Sequence, residues 1–346
     1  MSRGVNIRDV AVAAGVSVTT VSHVLNQVAG TRVSEDTKSR VEQAAQRLGY
    51  APNSLARGLR MQRSQTLGLL SDQIATTPFA GRIILGAQEA ASAHGWLLML
   101  LTTGNDSDVE QREIRALAQH QVDGVLYATM YHRVVQVPAE LRPMPVVLLD
   151  ASSADLAIPS VVPDEKSGAQ AAVGELVEHG HRRIAFLTNV DDIPATHGRL
   201  AGYQATLAKA GIGFDPKLVI AETSDTPGGY RAARELLGRK APPTALFCFN
   251  DRMAMGAYRA VGELGLRIPT DVSIVGFDNQ ELIAEGLHPG LTTVALPHYE
   301  MGKWAVETMM GMLKTPGQTR RRRKAEQMVM ACPLIRRDSV AAAPKR

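Results

Sequence analysis

Ile7-Arg8-Asp9-Val10-Ala11-Val12-Ala13-Ala14-Gly15-Val16-Ser17-Val18-Thr19-Thr20-Val21-Ser22-His23-Val24-Leu25-Asn26 reads as two short helices on a tight turn. Asn6 is placed to cap the first helix, with Asp9 three positions on, and Ile7, Val10, Ala11 and Ala14 fall at i, i+3, i+4 and i+7. Gly15 supplies the left-handed residue that ends it, and Ser17 caps a second helix that turns Val21, Val24 and Leu25 inward. The other face carries Val18, Thr19, Ser22, His23 and Asn26, a small and mostly uncharged set. An ordinary helical hairpin would show the same periodicity. The outer face is what argues for a major groove, where hydroxyl, imidazole and methyl groups meet base edges and thymine methyls.

Beyond a loop at 27–33, Ser34 can cap a third helix with Val41, Ala44, Ala45 and Leu48 inside and Gly49 at its stop. An all-α headpiece is therefore expected over residues 1–50, with a linker at 51–63. Residues 1–60 hold eight basic and four acidic side chains, which accounts for the whole chain's net charge of +4. The end suited to a polyanion is thus the N-terminus. Pro52 stops the third helix, and Asn53 or Ser54 can start Leu55-Ala56-Arg57-Gly58-Leu59-Arg60, a segment too short and too weakened by Gly58 to be helical alone.

From Thr66 the pattern changes. Leu67 to Leu70, Leu97 to Leu101, Val125 to Tyr127 and Val146 to Leu149 are strand-length apolar runs, separated by helical stretches at Arg82 to His94 and Val109 to His120. The series resumes with strands at Ile184 to Leu187, Leu218 to Ala221, Leu246 to Phe249 and Ile274 to Gly276. Helices are expected between them near Ser167 to His179, Leu200 to Ala210, Gly229 to Leu237 and Arg252 to Leu264. Strand and helix in alternation imply parallel sheets with right-handed crossovers. There are too many strands for one sheet of ordinary size, so an α/β core of two Rossmann-like subdomains is expected over 64–340, followed by a short tail at 341–346.

The residues Ile7-x-Asp9-Val10-Ala11, Ala14-Gly15-Val16-Ser17 and Thr19-Thr20-Val21-Ser22-x-Val24-Leu25-Asn26 resemble the DNA-binding signature of the lactose/galactose repressor (LacI/GalR) family of bacterial transcription regulators. Leu55-Ala56-Arg57-Gly58-Leu59 resembles that family's hinge helix, and Ala245 to Asp251 with Ile268 to Asn279 resembles its core. The resemblance implies a helix-turn-helix headpiece on a periplasmic-binding-protein-like core whose chain crosses between subdomains near residues 163, 293 and 323. It implies base contacts from Val18, Thr19, Ser22, His23 and Asn26, and contacts in the operator centre from Arg57, Leu59 and Arg60, with Leu59 as the minor-groove wedge. For a small effector it implies Phe79 and Arg199, with Asp164 either binding the ligand or fixing the hinge at its crossover. Asn250, Asp251 and Asp278, polar residues that follow or close apolar strands, are added by the rule that open α/β sheets bind ligands beyond strand carboxyl ends, although each, Asp251 above all, could cap the following segment instead.

Catalysis finds little support. There is no Gly-x-Ser-x-Gly, Walker loop or His-Glu-x-x-His, and the nine histidines lack ligand spacing, so neither a metal nor a cofactor is expected. Cys248 and Cys332 sit in apolar runs and read as buried thiols. Met1-Ser2-Arg3-Gly4 is not followed by an apolar signal core, and no run reaches membrane-spanning length, so a soluble cytoplasmic protein is expected. Arg320-Arg321-Arg322-Arg323-Lys324, after Thr315-Pro316-Gly317, reads as a solvated loop. The expected function is a dimeric repressor of carbohydrate-utilisation genes on a near-palindromic operator, answering to a small sugar-like effector. A purine- or metabolite-responsive co-repressed regulator is the alternative, and an exported solute receptor or an enzyme on the same sheets fits less well.

Overall fold

The computed structural model describes residues 5–25, 32–50, 63–74, 81–314 and 325–345. Asn26, Arg57, Leu59, Arg60, Phe79 and the 320–324 basic run lie outside the described residues. The chain forms two compact units, Met1–Gln65 and Thr66–Arg346.

In the first unit, α1 (Ile7–Ala14) is closed by a reciprocal capping box: the Asn6 side chain accepts from the Arg8 and Asp9 amides, and Asp9 Oδ2 accepts from the Asn6 amide at 2.8 Å. Gly15 ends it at φ 64°, a conformation that costs a β-carbon-bearing residue more than glycine. Ser17 Oγ accepts the Thr20 amide at 3.0 Å and starts α2 (Val18–Leu25). Ser34 does the same for α3 (Glu35–Leu48) through the Thr37 amide. Val10, Val21 and Val41, one from each helix, are fully buried at the centre, with Ala11, Ala14, Val24, Ala44 and Ala45 around them.

The second unit opens with β1 (Thr66–Ser71), α4 (Gly81–Ala93), β2 (Leu97–Thr102), α5 (Ser107–Gln119), β3 (Gly124–Val134), β4 (Val146–Ser152) and β5 (Ser160–Pro163). Alternation along these strands serves two cores. Leu67, Leu69, Leu126, Val147 and Leu149 face one side of the sheet, while Leu70, Val125, Val146 and Leu148 face the other. The second subdomain follows as α6 (Glu165–Glu178), β6 (Ile184–Asn189), α7 (Pro194–Lys209), β7 (Val219–Glu222), α8 (Thr226–Leu237), β8 (Ala245–Cys248), α9 (Asp251–Glu263), β9 (Ser273–Asp278), α10 (Glu281–Ala284) and β10 (Thr292–Ala295). The chain then returns through α11 (His298–Lys314) to β11 (Gln327–Met330) and ends in β12 (Leu334–Ile335). Strand order is β11-β5-β4-β3-β1-β2 in one sheet and β12-β10-β9-β8-β6-β7 in the other. All pairings are parallel except β10 with β12.

The chain changes subdomain at Asp164, at Leu296–Pro297 and at Ala331–Pro333. The second change falls after the expected crossing near 293 because Thr292–Ala295 first pairs with β9. The third falls after the one expected near 323 because Gln327–Met330 first pairs with Ser160–Pro163. Residues 341–343 are not a loose tail: the Ala341 amide donates to Ser273 Oγ, the Ala341 carbonyl lies 3.1 Å from His181 Nε2, and the Ala343 amide donates to the His179 carbonyl. His181, fully buried, also reaches Thr244 Oγ1 at 2.9 Å and Ser273 Oγ at 3.0 Å, a structural role. Cys248 and Cys332 are buried free thiols whose pKa values burial pushes up.

Candidate functional site

The carboxyl ends of strands from both sheets meet over a small cavity of about 30 Å³, lined by Met130, Tyr131, His132, Asp150, Glu165, Arg199, Phe249, Asn250, Arg252 and Asp278 among others. Three local features deliver these groups. The β3–β4 register slips between Ala128 and Arg133, so Tyr131 and His132 leave the regular pleat and line the cavity. Asp150 in β4 takes a left-handed φ of 54°, and Asp278 at the end of β9 takes φ 103°. Such backbone costs free energy at a non-glycine residue, and it recurs where a side chain must be aimed.

Arg199, only 4% exposed, organises the second-subdomain wall. Its Nε donates to Glu165 Oε2 at 2.7 Å, and its Nη1 donates to the Phe249 carbonyl and, at 3.5 Å, to Asp278 Oδ1. The guanidinium carbon lies 4.3 Å from the Phe249 ring centre and 3.8 Å from that of Phe277. Burial works against the charge, but Glu165 and Asp278 outweigh it and raise the Arg199 pKa. Burial also dominates the neighbours. It pushes the Asp278 carboxyl up to about 6 against the pull of Arg199. Asp150 is pushed well above the carboxylate range by burial, with the Glu165 charge adding to it, and the buried His132 imidazole is pushed down towards neutrality.

Among the described residues, three buried polar atoms around this cavity lack a hydrogen-bond partner: His132 Nδ1, Asp150 Oδ1 and Arg252 Nε. An orphaned buried donor or acceptor costs about 1–3 kcal/mol, and three at one place are groups that a bound polar molecule would satisfy. A wider groove of about 560 Å³ continues from Asp278 and Leu296 past Gln280, Leu282, Pro297 and Pro333. An Arg82–Glu281 ion pair of 2.7 Å lies there between α4 and α10, one from each subdomain.

Helices α6 and α7 hold Glu165 against Arg199 by packing at glycine distance. A β-carbon on Gly198 would lie 2.6 Å from Glu165 Cβ, and one on Gly202 would lie 2.4 Å from the Lys166 carbonyl oxygen. Gly202→Ala is therefore expected to force the helices apart and lower stability by about 1–2 kcal/mol. Urea denaturation checks this, and an unchanged midpoint with an unchanged slope would contradict the packing account.

In the first unit, Val18 and Thr19 are exposed on α2, and Ser22 and His23 are half-exposed one turn on, opposite the buried Val21 and Val24. The four share a face free of acidic side chains.

Residues 6–53 match the model described as bacterial regulatory proteins, lacI family, and residues 64–338 match that of periplasmic binding proteins and the sugar binding domain of the LacI family. The chain belongs to the LacI family. The ribose operon repressor of Haemophilus influenzae is 34% identical over 317 residues, covering 91% of this chain and 94% of the relative. The repressor PurR of Vibrio atlanticus is 36% identical over 323 residues, covering 91% and 94%. A lac repressor dimer bound to operator and the anti-inducer ONPF superposes with a TM-score of 0.78 at 27% identity, covering 98% of this chain and 100% of that one. As a LacI-family member this protein is a DNA-binding transcription regulator.

Within this LacI-family core the expected residues divide. Arg199, Asn250 and Asp278 line the cavity. Asn250 also caps α9 through the Met253 amide and donates to the Ser224 carbonyl. Asp164 and Asp251 face elsewhere. Asp164 caps α6 through the Ser167 amide at the first crossing, and fully buried Asp251 accepts from the Gln280 amide and the Thr293 hydroxyl, fixing the turn behind Asp278. Sequence reasoning missed His132, Asp150, Glu165, Phe249 and Arg252. Asp150 was findable, since it follows the apolar run Val146 to Leu149 just as Asn250 follows its own. His132 was not, because only the slip in β3 brings it here. Among the described residues no group of side chains is arranged to hold a metal ion, and no helix is long and apolar enough to cross a membrane.

Proposed function

We propose that this regulator is a homodimeric repressor of carbohydrate-utilisation genes, acting in the cytoplasm on a near-palindromic operator whose occupancy changes when a small sugar-like effector fills the cleft. The observation that carries this reading is the convergence of His132 and Asp150 from the first subdomain with Arg252 from the second, each presenting an unpartnered polar atom to one cavity. A ligand with several hydroxyls satisfies all three only at one angle between the subdomains, which is how a bound molecule selects a conformation. A cavity of about 30 Å³ holds roughly one water, so the effector enters a more open form. The ribose operon repressor among the relatives supports a sugar. A purine effector is the second reading, favoured by the Phe249 ring at the cavity and by the PurR relative. No acid/base or nucleophile pair is assigned, and the reading is of a binding protein.

On the DNA side we assign base contacts to Val18, Thr19, Ser22, His23 and Asn26, and contacts at the operator centre to Arg57, Leu59 and Arg60, from the family signature in the sequence. The test is selection of duplexes by the full chain from a random pool, then fluorescence anisotropy on the selected site with ribose, other neutral sugars, hypoxanthine and guanine. A near-palindromic site released by a sugar is expected. Release by none of the sugars, with tighter binding in a purine, would replace the first reading with the second. His23→Ala is expected to weaken the selected site about tenfold while leaving a scrambled duplex unaffected. Equal loss on both would remove His23 from base reading.

A further inference from the structure

We propose that Glu165 is a built-in counter-ion that occupies the anion-accepting edge of Arg199, so that the cleft takes uncharged polyhydroxyl ligands and refuses carboxylate- and phosphate-bearing ones. This rests on the sugar-effector reading and narrows it to a chemical class.

A guanidinium facing a ligand is ordinarily a fork for carboxylate or phosphate. Here each edge of the fork already has one of its nitrogens engaged. Its Nε is held by Glu165 at 2.7 Å, its Nη1 by the Phe249 carbonyl with Asp278 at 3.5 Å, and the Phe249 and Phe277 rings lie against it. An anion that binds the fork with two contacts must displace either Glu165 or the Phe249 carbonyl, and Glu165 is confined. It is the first residue of α6, 5% exposed, with its own Cβ against Gly198 and the following carbonyl against Gly202. Displaced, it would be a buried carboxylate stripped of its cation, a cost well above that of any hydrogen bond the anion gains.

The charges around the cavity point the same way. Asp150, Glu165 and Asp278 supply three carboxyls against the guanidiniums of Arg199 and Arg252, and buried His132 is held towards neutrality. Burial already drives Asp150 and Asp278 to shed charge, so a further anion enters a site that resists the negative charge it has. The unpartnered atoms are of mixed sense: Asp150 Oδ1, Arg252 Nε as a donor, and His132 Nδ1, whose sense follows its tautomer. A hydroxyl both donates and accepts and meets all three without adding charge. A phosphate offers mainly acceptors and brings negative charge with them.

The full chain tests this by thermal shift and calorimetry with two kinds of probe. Inorganic phosphate reports the counter-ion independently of which sugar fits, while the pairs ribose and ribose 5-phosphate, and glucose and glucose 6-phosphate, report selectivity. The parent is expected to show no binding of inorganic phosphate at 10 mM or of either sugar phosphate, on the order of the weakest affinities such assays read. Glu165→Gln keeps the shape and one acceptor but removes the charge, and is expected to gain phosphate binding at least tenfold over the parent. Glu165→Asp, which draws the carboxylate back by one methylene, is expected to gain less. Melting curves without ligand report whether each variant is folded. Binding of a sugar phosphate by the parent as tightly as its neutral counterpart overturns the proposal, as does the absence of any gain in the folded variants. If the variants gain phosphate but the parent binds no neutral sugar, Glu165 is the counter-ion and the sugar-effector reading is the part that fails.

Discussion

Arg199→Met is expected to lower the stability of the core by about 3–5 kcal/mol, the usual cost of removing one partner from a buried ionic cluster. The substitution roughly preserves volume and contact with the Phe249 and Phe277 rings, so packing loss is a minor part. What remains is two buried carboxyl side chains, Glu165 and Asp278, with their cation gone, and a Phe249 carbonyl without its donor. Without the pull of Arg199 the Asp278 carboxyl takes up a proton more readily, so the loss should be largest above neutral pH and smaller in acid. In a unit of this size it corresponds to a fall in melting temperature of about 10 °C. Adding Glu165→Gln should recover part of it, because the second change removes one of the stranded charges. Thermal melts of the two single variants and the double variant form the cycle. If the double variant is as unstable as the sum of the singles, Arg199 and Glu165 do not act as a pair and the description of the cleft must change.

The contrast between Arg199 and Glu165 shows what a sequence can and cannot say here. The headpiece was legible because its information is local: a capping residue, a period of 3.6 and a glycine stop all lie within twenty positions. The long parallel strands were legible because both their faces are apolar. By contrast β5, β10 and β11 are four residues each, and they become strands through partners a dozen or more positions away. Helix α11 went unread although Met301, Ala305, Met309 and Leu313 recur at the helical period and bury one face against the first sheet, a signal that was present and passed over. In the cleft, Arg199, Asn250 and Asp278 followed from strand ends and from family resemblance. Glu165 did not, because nothing beside it in the chain says that a residue 34 positions on supplies its charge partner. Asp164, its neighbour, attracted the assignment and turned out to hold a helix end. Sites assembled across a crossing are written in tertiary contacts, and single-chain patterns recover only the members that also end a strand.

Asp278 should make the core gain stability on mild acidification, against the usual behaviour of paired carboxylates. Its pKa is pushed up to about 6 in the folded protein, above the roughly 3.9 of an unfolded aspartate. Between those values the native state holds a proton that the unfolded chain has released, so stability rises as pH falls and is lost as pH climbs through 6. The full span is worth about 3 kcal/mol, of which the step from pH 7 to pH 5 yields about 1 kcal/mol. Asp150 and Asp251, both raised by burial, act in the same direction. His132 and His181 act in the opposite one, since burial lowers both and the unfolded chain takes up their protons first as pH falls below about 6.5. The parent's own pH profile is thus a sum of opposing slopes, and Asp278→Asn isolates one of them. Asn mimics the protonated carboxyl at every pH, so the variant should fare better relative to the parent at pH 7 than at pH 5, by about 1 kcal/mol. Urea titrations of both proteins at the two pH values give this difference directly. A stability gap between them that does not change with pH would mean that the Asp278 carboxyl does not titrate in this range, and that Arg199 holds it ionised more firmly than burial opposes.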